Sequence, residues 1–340
     1  MTGRFTAIGS SSVDAAIGEA VSAIGAAIGA LRIPHLEGVV LGGGYGRGEG
    51  GVAIGPDGAE RPYNDLDFYV IADDSSSAAD LAEIGARLAP VSREWTARLG
   101  IDVDFSPAKT YWRIKHDEAR VMVQELVRGY IDVAGKKGEE LFAAIERRSA
   151  EALPIGEAVR LLMNRGAGLL LAKDLGLQAE AQNGDGAGES ARQLTEAEMA
   201  GFVARNLNKC VLGAGDARLI AQGRYAWRLE ERKERLGDPR YSAAAEWKIR
   251  PAAEAPFTFE EARKAWLDAE KDVADAFRAK GEGARTLRHA ARWIVRRHTA
   301  GPLATFALDP SFRVMREIGD AIRADAPMTP AMRRDWEVFG

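Results

Sequence analysis

Apolar residues near the N-terminus recur at the spacing of an α-helix. Successive apolar positions lie four, three, four and three residues apart: Ile17, Val21, Ile24, Ile28 and Leu31. Residues at this spacing share one face of a helix. Acidic residues interrupt the segment, and no basic stretch leads into an unbroken apolar run. The segment is therefore predicted to be a soluble helix that ends before Pro34, and neither a signal peptide nor a membrane span.

Three short apolar segments further along predict β-strands. They are "EGVVLGGG", "DLDFYVIA" and "IDVDFSP", the last of which is stopped by Pro107. The segment "SSAADLAEIGARLAPVSREWTARLG", before the third strand, has a helical pattern. The segment "VAIGPDGAERPY" is predicted to be a loop, because its glycines and prolines disfavour regular structure. The order strand, strand, helix, strand predicts an α+β fold for the N-terminal half.

From about residue 151 the apolar pattern is helical and strand signals are few. Pro154 suits the first turn of a helix, and Thr195 with Glu198 form a capping-box pattern at the start of another. A polar, Gly-rich loop separates these two helices, and residues 250–256 resemble a linker. Further helices are predicted near 257–280, 284–298 and 311–325. We therefore predict two domains, an α+β domain over residues 1–150 and an α-helical domain over residues 151–340.

Charge and cysteine content narrow the range of functions. The 340-residue chain has 46 basic and 50 acidic residues, a formal net charge of −4. It lacks the basic surplus of proteins that bind long polyanions, so nucleic acid is disfavoured as the main partner. The single cysteine, Cys210, excludes an intrachain disulfide framework and fits a reducing compartment. The protein is predicted to be cytoplasmic and without a membrane partner.

The stretch "LGGGYGRGEGG", residues 41–51, contains seven glycines in eleven positions. In such a turn backbone N–H groups can approach a phosphate closely. Gly46, Gly48 and Gly51 have the spacing of a dinucleotide-binding loop, but the chain continues into Pro56 and not into a helix. The lysine of a P-loop and the valine of a kinase loop are missing. A phosphate-binding turn of another type is therefore predicted.

Two pairs of carboxylates follow the glycine turn. Asp65 and Asp67 alternate along a strand, so their side chains share one face while the apolar residues between and after them face the core. Asp102 and Asp104 repeat this pattern on the next strand. Neighbouring carboxylates repel one another unless a cation lies between them, and oxygen ligands suit Mg²⁺. If the two strands are adjacent, a third carboxylate joins the first pair and the set can hold two metal ions.

"GGYGRGE" followed by "NDLDFYV" resembles the signature of the DNA polymerase β-type nucleotidyltransferase superfamily, written G-S-x-A-R-G-E and then S-D-I-D-L. The resemblance covers residues 36–106, and the nearest analogues are bacterial aminoglycoside-type and minimal nucleotidyltransferases. It implies a nucleotidyltransferase-fold N-terminal domain with a short mixed sheet, and a helical domain that closes the nucleotide and acceptor cleft. Two features depart from the signature: Gly44 replaces the usual serine, and the loop before Asp65 is longer than usual.

The resemblance implies an Mg²⁺-dependent transfer of a nucleoside monophosphate, AMP from ATP, to a hydroxyl group of a small molecule, with release of pyrophosphate. The partners are then a nucleoside triphosphate and an unidentified hydroxyl acceptor. Catalytic and metal-binding roles fall to Asp65, Asp67 and Asp104, with Asp102 as the alternative third carboxylate. Nucleotide-binding roles fall to the following residues: Gly43, Gly44, Arg47, Gly48 and Lys209. A protein-adenylylating enzyme of the toxin–antitoxin type and a non-catalytic nucleotide-binding or partner-binding module remain open.

Several polar residues have more than one interpretation. Arg47 is expected either to neutralise phosphate charge or to pair with Glu49 or another acid. Lys209 is interpreted either as a phosphate ligand or as an ordinary surface lysine, and Arg165 has the same two readings. Arg292 and His298 have the spacing of a HEPN ribonuclease signature, but such short patterns arise readily by chance in an Arg-rich chain, and a solvated basic helix face is the favoured interpretation. No partner is evident from the sequence for His35 or His116.

Overall fold

A computed structural model describes residues 4–55, 57–182, 195–252, 254–279 and 310–339. The chain divides into two compact units. The first is Met1–Ser149 together with Lys248–Pro251, and the second is Ala150–Trp247 together with Ala252–Gly340. The helix predicted over 284–298, with Arg292 and His298, lies outside the described residues.

The first unit is built on a five-stranded mixed sheet with a separate two-stranded hairpin. The strands described in it are β1 Leu36–Leu41, β2 Val52–Ile54, β3 Glu60–Pro62, β4 Leu66–Ala72, β5 Val103–Phe105, β6 Lys109–Thr110 and β7 Ile131–Gly135. In the larger sheet β1 lies antiparallel between β4 and β7. Strands β5 and β6 lie parallel to β4, one after the other along its free edge. The three strands predicted from the sequence are confirmed, whereas β6 and β7 were not predicted.

Helices pack on both faces of this sheet. The helices described in the first unit are α1 Ser11–Leu31, α2 Gly43–Gly46, α3 Ala78–Leu99, α4 Tyr111–His116, α5 Val121–Leu126 and α6 Gly138–Leu141. Side chains of α1 and α3 form one core with Phe68 and Val70 of β4. The next residue along β4, Ile71, joins a second core with α4, α5 and α6. Because alternate residues of a strand face opposite ways, the two cores cover the two faces of the sheet.

Helix α1 confirms the apolar stripe predicted for the N-terminal segment. Its buried residues include Ile17, Val21, Ile24 and Ile28, and it packs against β7 and α3. Among the described residues this is also the one helix that is long and apolar enough to cross a membrane by length and composition. Its stripe is buried against the sheet, as in the core helix of a soluble domain.

The loop predicted for "VAIGPDGAERPY" was wrong, because the segment forms the hairpin of β2 and β3. The N–H of Gly55 donates to the carbonyl of Ala59 at 2.8 Å, and that of Gly58 donates to Gly55 at 2.9 Å. Gly58 has a φ of +77°, which a glycine adopts without strain. The glycines therefore make the turn of a hairpin, and Pro62 takes the last position of a strand with one partner, where a proline is tolerated.

The part of the second unit that the structure describes contains helices and no strand. Its α-helices are α7 Ile155–Gln182, α8 Glu196–Ala221, α9 Leu229–Leu236, α10 Pro239–Ile249, α11 Phe259–Ala279, α12 Pro310–Arg323 and α13 Pro330–Phe339. The capping box of Thr195 and Glu198 at the start of α8 is confirmed. Helices α9, α10 and α13 were not predicted. The whole chain is thus a mixed α+β protein with a small mixed sheet and many helices.

A glycine turn packed against paired carboxylates

The candidate site begins where β5 lies beside β4. Asp104 of β5 is the register partner of Asp67 of β4. The residues on either side of this pair point into the core, since Leu66 and Phe68 are 1% exposed and Phe68 stacks on Phe105 at 5.1 Å between ring centroids. Facing residues of parallel strands project to the same side of the sheet. The two carboxylates therefore lie next to each other on one face.

Asp65 directly precedes β4 and is two residues from Asp67, so it follows the same alternation. Asp102 holds the corresponding position before β5, where its carbonyl accepts the N–H of Leu66 at 2.9 Å. The register places Asp104, and not Asp102, beside Asp67. The condition on which a third carboxylate joins the first pair, adjacency of the two strands, is met.

The glycine turn packs directly against this strand. The N–H of Gly42 donates to the carbonyl of Asp67 at 2.9 Å. Gly43 has a φ of +60°, and a Cβ atom at this position would lie 2.1 Å from Oδ2 of Asp67. Any other residue would be strained at this φ and would push the Asp67 carboxylate aside. The turn continues as the short helix α2, so part of the glycine-rich segment is helical and is not a flexible loop.

Gly44 and Gly48, the other two glycines assigned to the nucleotide, differ in their surroundings. A Cβ atom at Gly44 would meet nothing closer than the carbonyl oxygen of Glu49 at 3.4 Å, which is near ordinary contact. Gly48 has a φ of +72°, and a Cβ atom there would lie 2.8 Å from the carbonyl oxygen of Arg4. Gly48 is thus required by the fold of the turn, whereas Gly44 leaves room for a side chain such as the serine of the superfamily signature.

The electrostatics of the carboxylates are those of a crowded negative site. Partial burial raises the pKa of Asp104, and the nearby charges of Asp102 and Asp65 raise it further. Burial, followed by the charges of Asp67 and Glu125, also raises the pKa of Tyr69. Among the residues that the structure describes, neither Asp65 nor Asp104 has a cationic partner. This part of the surface therefore favours a cation.

Arg47 lies within the turn and is held by acidic residues of the chain. Its side chain is 8% exposed, with Nε 3.4 Å from Oε2 of Glu49 and Nη1 3.2 Å from Oε2 of Glu125 on α5. The pairing with Glu49 that the sequence left open is therefore present. A guanidinium placed between two carboxylates is already neutralised, so its nucleotide-binding role stays a prediction.

Lys209, the remaining predicted nucleotide ligand, is an exposed residue of α8 in the second unit. Arg165 of α7 contacts Gly213, because a Cβ atom at Gly213 would lie 2.4 Å from its Cγ. His35, for which no partner was predicted, has Nδ1 2.9 Å from Oδ2 of Asp73. The phosphate-binding role of Lys209 stays a prediction.

A divalent cation needs several oxygen donors grouped around one point. Over the described ranges no three His, Cys, Asp or Glu side chains are grouped closely enough to form a metal site by themselves. The neighbouring carboxylates Asp67 and Asp104, with Asp65 on the same side, are nevertheless hard oxygen donors. Mg²⁺ is commonly held by one or two carboxylates with substrate phosphates completing its shell. The residues fit that mode of binding and do not fit an all-protein metal cage.

Two residues at this site were not predicted from the sequence. Tyr45 is fully buried within the turn, and its hydroxyl contacts the backbone of Gly51, Tyr63 and Asn64. The side chain of Asn64 accepts the N–H of Gly51 at 2.8 Å. The sequence features that could have identified them are an aromatic residue inside a glycine-rich turn and an amide residue directly before Asp65.

No protein-family model, curated protein or solved structure matches this chain.

Proposed function

We propose that this chain is an Mg²⁺-dependent nucleotidyltransferase that moves AMP from ATP to a hydroxyl group of a small molecule and releases pyrophosphate. The observation that carries the proposal is the packing of the glycine turn on the carboxylate strand. Gly43 allows the turn to reach Asp67, and Asp67 is the register partner of Asp104. A glycine turn with accessible backbone N–H groups beside carboxylates suits a metal-bound nucleoside triphosphate, because the turn can bind phosphate and the carboxylates can bind the metal. In this proposal the first unit has the nucleotidyltransferase fold.

The carboxylates have distinct roles in the proposed reaction. Asp65 and Asp67 would hold Mg²⁺, with Asp104 as the third ligand, and the ion would supply charge stabilisation for the phosphate oxygens. In this proposal Asp104 would also accept the proton of the attacking hydroxyl, and the raised pKa of its carboxyl supports such a role. The backbone of Gly43, Gly44 and Gly48 would cradle the triphosphate.

The rate of the proposed reaction also depends on how the acceptor hydroxyl is positioned. Holding the acceptor hydroxyl in line with the α-phosphorus supplies most of the rate enhancement in reactions of this kind. The acceptor's oxygen forms a bond to the α-phosphorus, the bond from that phosphorus to the bridging oxygen breaks, and pyrophosphate leaves. A small hydroxylated acceptor agrees with the net charge of −4, and the cytoplasm is the compartment in which ATP is available to it.

Pyrophosphate release tests the proposal. Purified protein is incubated with Mg²⁺, ATP and a metabolite extract, beside Asp65→Asn and Asp67→Asn variants. Asp132→Asn, which changes a carboxylate on β7 of the same sheet, is the matched control. The parent and the control are expected to release pyrophosphate and the two site variants to lose at least about 99% of the rate. Equal release by all four proteins would contradict the assigned site.

Two observations favour a second function, a non-catalytic nucleotide-binding or partner-binding module. The described residues contain no ready-made metal group of three ligands, and Arg47 is already paired. Binding of Mg·ATP by the parent protein, without pyrophosphate release in any extract, would support this alternative. Release that requires an added protein fraction, with label on a protein, would instead indicate an enzyme that adenylylates a partner protein.

A further inference from the structure

The hydroxyl of Tyr45 joins the glycine turn to the residues that precede Asp65. It donates to the carbonyl of Gly51 at 2.7 Å and accepts the N–H groups of Tyr63 at 2.9 Å and Asn64 at 3.3 Å. The side chain is 0% exposed, so water does not compete for these bonds. A single buried oxygen thus fixes both ends of the long segment between the turn and β4.

This contact matters because Asp65 is not itself part of the sheet. Asp65 lies just before β4, and the backbone of the two residues before it is bound to Tyr45. Tyr63 has a second acceptor in the carbonyl of Gly51 at 3.2 Å. The backbone of Asp65 is therefore held from two sides, by the sheet through Leu66 and by the turn through the two residues before Asp65.

The chemistry of the phenol suits a permanent link. Burial raises the pKa of Tyr45 to about 12, so the hydroxyl remains protonated at neutral pH and keeps its donor. The ring also fills the turn, because a Cβ atom at Gly50 would lie 2.1 Å from it. Replacing Tyr45 by Phe would keep this packing and remove only the hydroxyl.

We propose that Tyr45 is a positioning residue of the proposed nucleotidyltransferase site, whose hydroxyl holds Asp65 in the orientation needed to ligate Mg²⁺ beside the glycine turn. The inference rests on the proposed function. It gives a role in metal binding to an uncharged, buried side chain that does not itself ligate the metal.

The test compares Tyr45→Phe with Tyr241→Phe. Tyr241, in the second unit, is 1% exposed and its hydroxyl donates to Asp216 at 2.6 Å, so both variants lose one buried hydroxyl. Tyr45→Phe is expected to lower kcat for pyrophosphate release about ten-fold or more and to raise the Mg²⁺ concentration for half-maximal rate. In metal-free protein its amide hydrogens at Tyr63, Asn64 and Asp65 are expected to exchange faster. Tyr241→Phe is expected to change none of these.

The outcomes separate the two proposals. An active parent whose Tyr45→Phe variant keeps the parent's kcat, Mg²⁺ requirement and exchange rates overturns the positioning role and leaves the proposed function intact. Loss of activity in both variants in proportion to their loss of Tm, at an unchanged Mg²⁺ requirement, also overturns it, because that is a purely structural effect. A parent that releases no pyrophosphate overturns the proposed function and this role with it.

Discussion

The Cα atom of Gly43 lies so close to Asp67 that a Cβ atom at this position would be 2.1 Å from the carboxylate oxygen Oδ2. This approach joins the two parts of the candidate site, the turn and the carboxylate strand. The neighbouring Gly44 has no such constraint, since its nearest obstacle would be 3.4 Å away. Of these two adjacent glycines, therefore, packing requires glycine only at Gly43.

This difference predicts unequal losses of stability for two adjacent substitutions. Gly43→Ala is expected to lower the free energy of unfolding by about 1–3 kcal/mol, because alanine is strained at a φ of +60° and would push Asp67 aside. Gly44→Ala is expected to change it by less than about 0.5 kcal/mol. Urea denaturation of both variants measures the difference. Equal destabilisation by the two would show that the turn does not pack on Asp67 as described.

The register of β4 and β5 predicts which carboxylate completes the site. Asp104→Asn is expected to lower pyrophosphate release at least about 100-fold, whereas Asp102→Asn, which is not the register partner of Asp67, is expected to keep most of the rate. A greater loss in Asp102→Asn would reverse the assignment.

Asp104→Asn is also expected to stabilise the fold at neutral pH. Burial and two like charges raise the pKa of Asp104, so the folded chain holds this proton more tightly than the unfolded chain and the charged carboxylate destabilises the fold at neutral pH. Asp104→Asn is therefore expected to raise Tm at pH 7 in metal-free buffer, with the difference vanishing in acid where the carboxyl is protonated in both states. A lower Tm at pH 7 would contradict the crowding of negative charge.

The stability contributed by Glu118 is expected to depend on pH in the opposite sense to that of Asp104. Hydrogen bonds from Lys115 and then Arg148 lower its pKa from 4.5 to about 2. A carboxylate with a lowered pKa stabilises the fold above its ordinary pKa, and this contribution is lost as the pH falls toward 2. Glu118→Gln is expected to lower Tm at pH 7 and to converge with the parent as the pH falls from 4.5. Glu83→Gln, at an exposed position of α3, is the control and is expected to follow the parent.

The second unit contains a buried acid whose loss should be severe. Glu270 of α11 is 1% exposed and pairs with Arg316 and Arg323 of α12. Glu270→Gln removes the buried anion that Arg316 and Arg323 share, and it leaves Arg323 with only its exposed partner. The substitution is expected to cost about 1.5–3 kcal/mol, because the hydrogen bonds to charged groups are weakened. Asp320→Asn, which removes the exposed partner of Arg323, is expected to cost less than about 1 kcal/mol. Urea denaturation followed by helical circular dichroism measures both, and similar costs would show that burial of Glu270 is not decisive.

Local patterns in the sequence predicted much of the fold. The apolar stripe of α1, the strands β1, β4 and β5 and the capping box of α8 follow from the spacing and chemistry of neighbouring residues. The hairpin of β2 and β3 was missed because Gly55, Gly58 and Pro62 were taken as breakers, although glycine is what a tight hairpin turn needs. Strand β7 pairs with β1, which is distant in sequence, and its own residues carry only a weak pattern.

The candidate site, too, has some features that local sequence patterns predict and others that depend on tertiary contacts. The types of residue that form it, a glycine turn and alternating aspartates, could be recognised locally. The pairing of Arg47 with Glu125 and the bonds of Tyr45 to the residues before Asp65 depend on tertiary contacts, which no local pattern encodes. The choice of Asp104 over Asp102 required the register of two strands separated by a helix.

The most direct test of nucleotidyl transfer follows the two ends of ATP separately. Purified protein is incubated with Mg²⁺ and a metabolite extract, once with ATP labelled at the α-phosphorus and once with ATP labelled at the γ-phosphorus, beside Asp67→Asn. Nucleotidyl transfer predicts that the parent places the α-label in a new product, that the γ-label leaves as pyrophosphate, and that the variant does neither. Transfer of the γ-label to the product, or no transfer of either label by the parent, would contradict it.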